Sequence, residues 1–86
     1  MAYEIELTTA ALRDLRALAP AVLQRIDARI RALAEQPRPP GVEKLTDREG
    51  LYRIRVRDYR ILYEVDDARQ VVTVVRVRDR RESYRR

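Results

Sequence analysis

Between Leu51 and Arg57 the chain alternates without exception after its first residue: Tyr52, Ile54 and Val56 fall on one parity, and Arg53, Arg55 and Arg57 on the other. Successive side chains of a β-strand point to opposite faces, so this pattern demands a half-buried strand with one apolar and one cationic side. The period repeats in Tyr59–Val65, and a more apolar run spans Val71–Arg78. Asp58 marks the turn after the first run, and Asp66-Asp67 begins a hairpin after the second. Adjacent side chains in a turn diverge, so the Asp66-Asp67 pair reads as turn chemistry rather than as a metal site.

The first half has a different period. Tyr3-Glu4-Ile5-Glu6-Leu7 is a short strand with Tyr3, Ile5 and Leu7 inward, and Thr8 or Thr9 caps a helix. Leu12, Leu15 and Leu18 recur at three-residue spacing, with Arg13, Asp14 and Arg16 on the outer side. Pro20 suits the first turn of a second helix running to about Gln36, whose apolar stripe is Val22, Leu23, Ile26, Ile30 and Leu33. Pro37, Pro39 and Pro40 stop that helix and open a polar connector that ends at Gly50. The expected fold is α+β in the order β-α-α-β-β-β, a helical hairpin on one face of a small antiparallel sheet, with a polar tail from Asp79 to Arg86. Eighty-six residues make one domain, 1–86, and Tyr52, Tyr59 and Tyr63 share parity with its core. Helices on one side leave the other face of the sheet open, and Arg53, Arg55 and Arg57 are expected to point there.

Charge is distributed unevenly over this frame. Residues 1–50 hold 8 basic and 8 acidic residues, whereas residues 51–86 hold 11 basic and 6 acidic and so supply the whole net charge of +5. Arg53, Arg55, Arg57, Arg60, Arg76, Arg78, Arg80 and Arg81 crowd this block, with Glu64 and Asp79 as the nearest carboxylates. Concentrated guanidinium groups repel one another until an anion arrives, and their planar forks match phosphate oxygens in pairs. Tyr84 adds an aromatic ring in the same tail, and arginine with aromatic is the pairing that grips single-stranded bases. The expected ligand is a nucleic acid. The chain has no cysteine and no histidine, no Gly-rich phosphate loop and no Ser/His/Asp set, so neither cofactor nor metal is expected. The start Met1-Ala2-Tyr3-Glu4 lacks a signal-peptide pattern and no apolar run approaches the ~20 residues that span a bilayer, so a cytoplasmic protein with no membrane contact is expected.

The run Leu51–Val65, with its Asp58-Tyr59-Arg60-Ile61-Leu62-Tyr63-Glu64 block, and the ending Arg80-Arg81-Glu82-Ser83-Tyr84 resemble the RelE branch of the RelE/ParE toxin superfamily. The opening strand, the helical hairpin and the Pro-Arg connector fit the same pattern, so the likeness covers nearly the whole chain. It implies a type II toxin that enters the ribosomal A site and cleaves messenger RNA, held in check by a cognate RelB-type antitoxin. It also implies operator DNA contact only through that antitoxin. Carried onto this sequence, it assigns the catalytic positions to Arg53, Arg55, Arg60, Arg80 and Tyr84, with Arg81 the alternative to Arg80. Arg57, Arg78 and Arg81 are then further contacts for RNA phosphate.

Attack of a ribose 2′-hydroxyl on the adjacent phosphate needs alignment, removal of the hydroxyl proton, charge stabilisation and protonation of the leaving 5′-oxygen, a chemistry in which neither metal nor cofactor is required. Arginines meet the charge requirement. They are poor proton acceptors, with pKa values above ~12. Tyr84, a phenol of ordinary pKa ~10 that neighbouring cations depress, is the remaining titratable candidate for the base. Two other readings stay open: the resemblance also extends to a ParE-like DNA gyrase poison, and a catalytically inactive module that only binds an antitoxin would share the composition.

Overall fold

The computed structural model describes residues 2–45 and 50–79. Its elements are β1 (Glu4–Leu7), α1 (Thr9–Arg16), α2 (Pro20–Ala32), β2 (Glu43–Lys44), β3 (Leu51–Val56), β4 (Tyr59–Asp66) and β5 (Val71–Asp79). The strands form one sheet in the order β1-β5-β4-β3-β2. The architecture is α+β as expected, with two differences in the sheet. It is mixed, because β1 runs parallel to β5 (Glu4 opposite Val71, Leu7 opposite Val74) while the other pairings are antiparallel. It also has a fifth strand, because Glu43 and Lys44 of the connector pair with Arg53 and Tyr52. A two-residue strand shows no alternation, and a β1 of four residues gives no hint of its partner.

Thr8 is the cap of α1: its hydroxyl accepts from the Ala11 amide at 3.0 Å and donates to the Val75 carbonyl at 2.8 Å. The helix therefore starts and is tied to β5 by one side chain. Pro20 occupies the first turn of α2, where its missing N–H costs nothing, and the helix ends at Ala32 rather than near Gln36. The core lies between the helices and the sheet. Ile26, Ile30 and Leu33 of α2 and Ala11 and Leu15 of α1 pack on Tyr52, Ile54, Ile61, Tyr63, Val72 and Val74. Each large apolar side chain buried there stabilises the fold by about 1.5–3 kcal/mol. Leu7, Leu12 and Leu23, expected inward, are exposed. The buried side of α1 runs instead through Ala11 and Leu15, four residues apart as a 3.6-residue turn requires, and Leu18 beyond the helix end is partly buried against the same core.

Two local irregularities decide what reaches the open face. In β5 the pairing jumps between Leu62 opposite Arg76 and Tyr63 opposite Val74, leaving Val75 as the extra residue of a bulge. Val72 and Val74 face the helices, and without the bulge Arg76 and Arg78 would share their side. The extra residue inverts the parity, so Val77 is buried and Arg76 and Arg78 take the parity of the other face. At the β3–β4 turn, Arg57 and Asp58 form a two-residue loop between paired Val56 and Tyr59, and Arg57 has φ 56°. A residue with positive φ in that position is ordinarily glycine. Arg57 thus leaves the strand, and does not continue the row of Arg53 and Arg55.

Beyond its pairing with β1, the free edge of β5 is covered by α1. Asp14, expected on the outer side of its helix, turns towards the sheet: its Oδ2 accepts from the Val77 amide at 2.9 Å and from Arg76 Nε at 2.8 Å. An edge strand closed in this way offers fewer unpaired groups to other chains. Burial alone would raise the Asp14 pKa. The hydrogen bonds from Arg76 and the Val77 amide, with the charges of Arg76 and Arg78, outweigh it and hold the carboxyl below its ordinary value.

Candidate functional site

The open face of the sheet carries a row of guanidinium groups across three strands. Arg55 of β3 stands directly opposite Arg60 of β4, and Arg60 directly opposite Arg78 of β5. Directly opposed side chains lie about 4.5–5.5 Å apart at Cβ, and like charges in that relation are destabilising. The fold tolerates this arrangement at two successive positions. The Nε atoms of Arg60 and Arg78 are shut off from solvent, and both residues have further interactions. Arg55 is exposed and makes no ion pair with another described residue.

Beside the row lies a concavity of about 280 Å³ lined by Gly41, Glu43, Arg53, Arg55 and Arg60. Three of its five residues are the arginines expected at the site. Arg53 is engaged there: Glu43 Oε1 accepts from its Nε at 2.9 Å and from an Nη at 2.6 Å. The Arg53 hydrogen bonds and charge, with the charges of Arg55 and Arg60, hold the Glu43 carboxyl below its ordinary range. It is ionised at neutral pH, an acceptor of hydrogen bonds but a weak acceptor of protons. Glu43 was missed in the sequence, which offered Glu64 and Asp79 as the nearest carboxylates. The available signal is thin: an acidic residue two positions after Gly41 in a connector that must fold back beside β3.

The connector is held by a network of its own. Arg38 donates to both oxygens of Asp67 at 3.2 and 2.7 Å and to the Tyr52 hydroxyl at 2.8 Å, and its guanidinium carbon lies 5.2 Å from the centre of the Tyr52 ring. Tyr3 donates to the same Asp67 at 2.7 Å. Tyr63 donates to the Pro37 carbonyl at 2.7 Å, and its ring stacks on Tyr52 with centroids 5.8 Å apart. Burial, with the neighbouring Tyr52, pushes the Tyr63 hydroxyl up to about 12. These contacts fix Pro37–Gly41 against the sheet and so aim Glu43 at Arg53. Of the expected turn pair, Asp66 makes the local bond, its Oδ1 accepting from the Arg69 amide at 3.1 Å, whereas Asp67 is drawn into this long-range network; among the described residues no cluster of three or more His, Cys, Asp or Glu side chains could hold a metal ion.

The structure therefore brings Arg53, Arg55, Arg60 and Arg78 together on one face. Arg57 is elsewhere: it borders a small apolar hollow of about 80 Å³ between α2 and the β3–β4 turn, with Val22, Ile26 and Tyr59. Arg80, Arg81 and Tyr84 lie outside the described residues. Chemically, the row and concavity offer guanidinium donors suited to anionic oxygens from several directions, with one carboxylate acceptor beside them. No helix among the described residues is long and apolar enough to cross a membrane.

Comparison with known proteins agrees with this fold. Residues 5–84 match the family model described as ParE toxin of type II toxin-antitoxin system, parDE. Toxin RelG of Mycobacterium tuberculosis is 33% identical over 87 residues, covering 100% of each chain. The mRNA interferase toxin RelE of Escherichia coli K12 is 33% identical over 88 residues, covering 98% of this chain and 92% of the relative. Among solved structures, a chain of the RelBE2 toxin-antitoxin complex of M. tuberculosis superposes with a TM-score of 0.81 at 32% identity, covering 93% of each chain. A chain of the intact E. coli RelBE toxin-antitoxin complex gives a TM-score of 0.81 at 30% identity, covering 91% of this chain and 96% of that one.

Proposed function

This chain belongs to the ParE toxin family of type II toxin–antitoxin systems, and from that premise we propose that it is a RelE-type endoribonuclease that cleaves messenger RNA in the ribosomal A site and is neutralised by a RelB-type antitoxin. The observation that carries the reading is the row Arg55–Arg60–Arg78 beside the concavity of Arg53, Arg55 and Arg60. Several guanidinium groups brought to one place suit a scissile phosphate, which gains charge in its transition state. The RelE name and RelB partner of the relatives point the same way.

In this mechanism the 2′-hydroxyl attacks the neighbouring phosphorus in line, its proton leaves, the P–O5′ bond breaks, and the 5′-oxygen takes up a proton. Arg53, Arg55 and Arg60 bind the non-bridging oxygens and stabilise their added charge. Arg80 completes the set from the tail. The ribosome imposes the alignment, which for a well-oriented intramolecular attack is worth several orders of magnitude. Tyr84 removes the 2′-proton. Its conversion to phenylalanine lowers the cleavage rate, and a wild-type rate in that variant eliminates it as the base. Operator DNA is reached only through the antitoxin.

The test is induction in cells lacking the antitoxin, with messenger RNA ends and plasmid supercoiling mapped together. Cuts within translated messages are the expected result. Changed supercoiling with intact messages replaces the proposal with gyrase poisoning, and harmless expression replaces it with a module that only binds its antitoxin.

A further inference from the structure

Arg53 already holds an anion. Glu43 stands opposite it in the β2–β3 register and directs one oxygen at both the Nε and an Nη of the fork, the pair of donors that would otherwise take phosphate. Arg55 and Arg60 line the same concavity. A phosphodiester cannot approach Arg53 along that edge while the carboxylate is there, and two anions so close repel. The pair is also easy to exchange: the Glu43 side chain is 59% exposed, it sits on a strand of two residues, and ion pairs in contact with water are weak.

We propose that Glu43 is a built-in competitor for the substrate phosphate, so that Arg53 changes partner from carboxylate to phosphodiester when RNA binds. This rests on reading the concavity as an RNA-phosphate site. The consequence is selectivity. An isolated anion meets Arg53 already neutralised, whereas an RNA strand positioned to reach Arg55 and Arg60 at the same time gains enough contacts to displace the carboxylate.

The experiment follows the arginine Nε–H NMR signals of the free chain during titration with inorganic phosphate at fixed ionic strength, in the wild type, Glu43→Gln, Arg53→Ala and the double variant. Glutamine keeps the size of the side chain and removes its charge. The expected result is a fall of about fivefold in the half-saturating phosphate concentration for Glu43→Gln, with no gain when Arg53 is alanine. Unchanged or weaker phosphate binding in Glu43→Gln overturns the proposal, because it makes the carboxylate a support for Arg53. A parallel titration with a short single-stranded RNA separates the two readings. Tighter RNA binding by Glu43→Gln supports both. Tighter phosphate binding with no RNA binding by any variant keeps the competition and removes RNA as the ligand.

Discussion

Replacing Asp14 with alanine should destabilise the fold more than any other single change at an ionised residue described above. The carboxylate accepts the Val77 amide at 2.9 Å and Arg76 at 2.8 and 3.2 Å, and its side chain is 19% exposed. Removal leaves a sheet-edge N–H without its acceptor, a loss of about 1–3 kcal/mol. The Arg76 side chain is 39% exposed, so its pairing adds at most ~1 kcal/mol after screening. The expected cost is thus about 2–3 kcal/mol, a large part of the roughly 4–13 kcal/mol that stabilises a chain of this length. At about 4–8 °C per kcal/mol, the melting temperature falls by roughly 10–20 °C. Asp14→Asn keeps an acceptor for Val77 and should lose only about 1 kcal/mol. The sign of the pH dependence follows from the depressed carboxyl: its contribution is fully present above the unfolded value near ~3.9 and disappears as pH falls through the lower folded value. Urea unfolding followed by far-UV circular dichroism from pH 7 to acid, at equal ionic strength, checks this. The gap between wild type and Asp14→Asn should close in acid. A gap that persists at pH values where the Asp14 carboxyl is protonated in both the folded and the unfolded chain, or a loss below about 0.5 kcal/mol for Asp14→Ala, refutes the reasoning.

Arg57→Gly should stabilise the chain by about 1 kcal/mol, because φ 56° is costly for a side chain with a Cβ; thermal unfolding that moves down or stays fixed contradicts the strain. Arg55→Ala and Arg60→Ala should each reduce messenger RNA cleavage by about a hundredfold or more with unchanged circular dichroism, read out by primer extension on message from induced cells, and Arg80→Ala should likewise abolish toxicity. Tyr63→Phe should cost about 1 kcal/mol through the Pro37 carbonyl it leaves without a donor. Because burial raises the Tyr63 hydroxyl to about 12, it stabilises the folded state below the free-tyrosine value of ~10 and loses that effect as pH rises to the folded value. An ultraviolet titration should show late-ionising tyrosine absorbance that is reduced in Tyr63→Phe, the remainder belonging to Tyr3, whose hydrogen bond to Asp67 also raises its hydroxyl.

Alternation in Leu51–Arg57 was sufficient to place Arg53 and Arg55 on the open face, because strand parity is a local rule and the apolar half had only one core to face. Arg60 came from the family resemblance, and its register opposite Arg55 puts it in the same row. Local rules fail where geometry depends on a distant partner. Asp14 looks like a solvated helix residue until Val77, 63 residues away, is brought beside it. Leu12 outranked Ala11 in the sequence because alanine carries little hydrophobic signal, although Ala11 is completely buried. Glu43 was hidden in a two-residue strand whose position depends on Arg38 and Asp67. The adjacent valines at 74 and 75 were the visible trace of the bulge, and they are what lets an apolar strand end with arginine on the face opposite its core.

The parallel pairing of β1 with β5 has a consequence in time. Thr8 and Val75 are 67 residues apart, so the first strand waits with an unmatched edge until β5 has been made. Synthesis at about 5–20 residues per second leaves it there for several seconds. The β3–β4 hairpin forms locally and early, but the guanidinium row acquires Arg78 only when β5 joins the sheet, and closing so long a loop is slow. The guanidinium row is therefore among the last parts of the sheet to be completed. Until β5 is in place the guanidinium row is incomplete, so the order of synthesis delays the cationic face that the finished sheet presents.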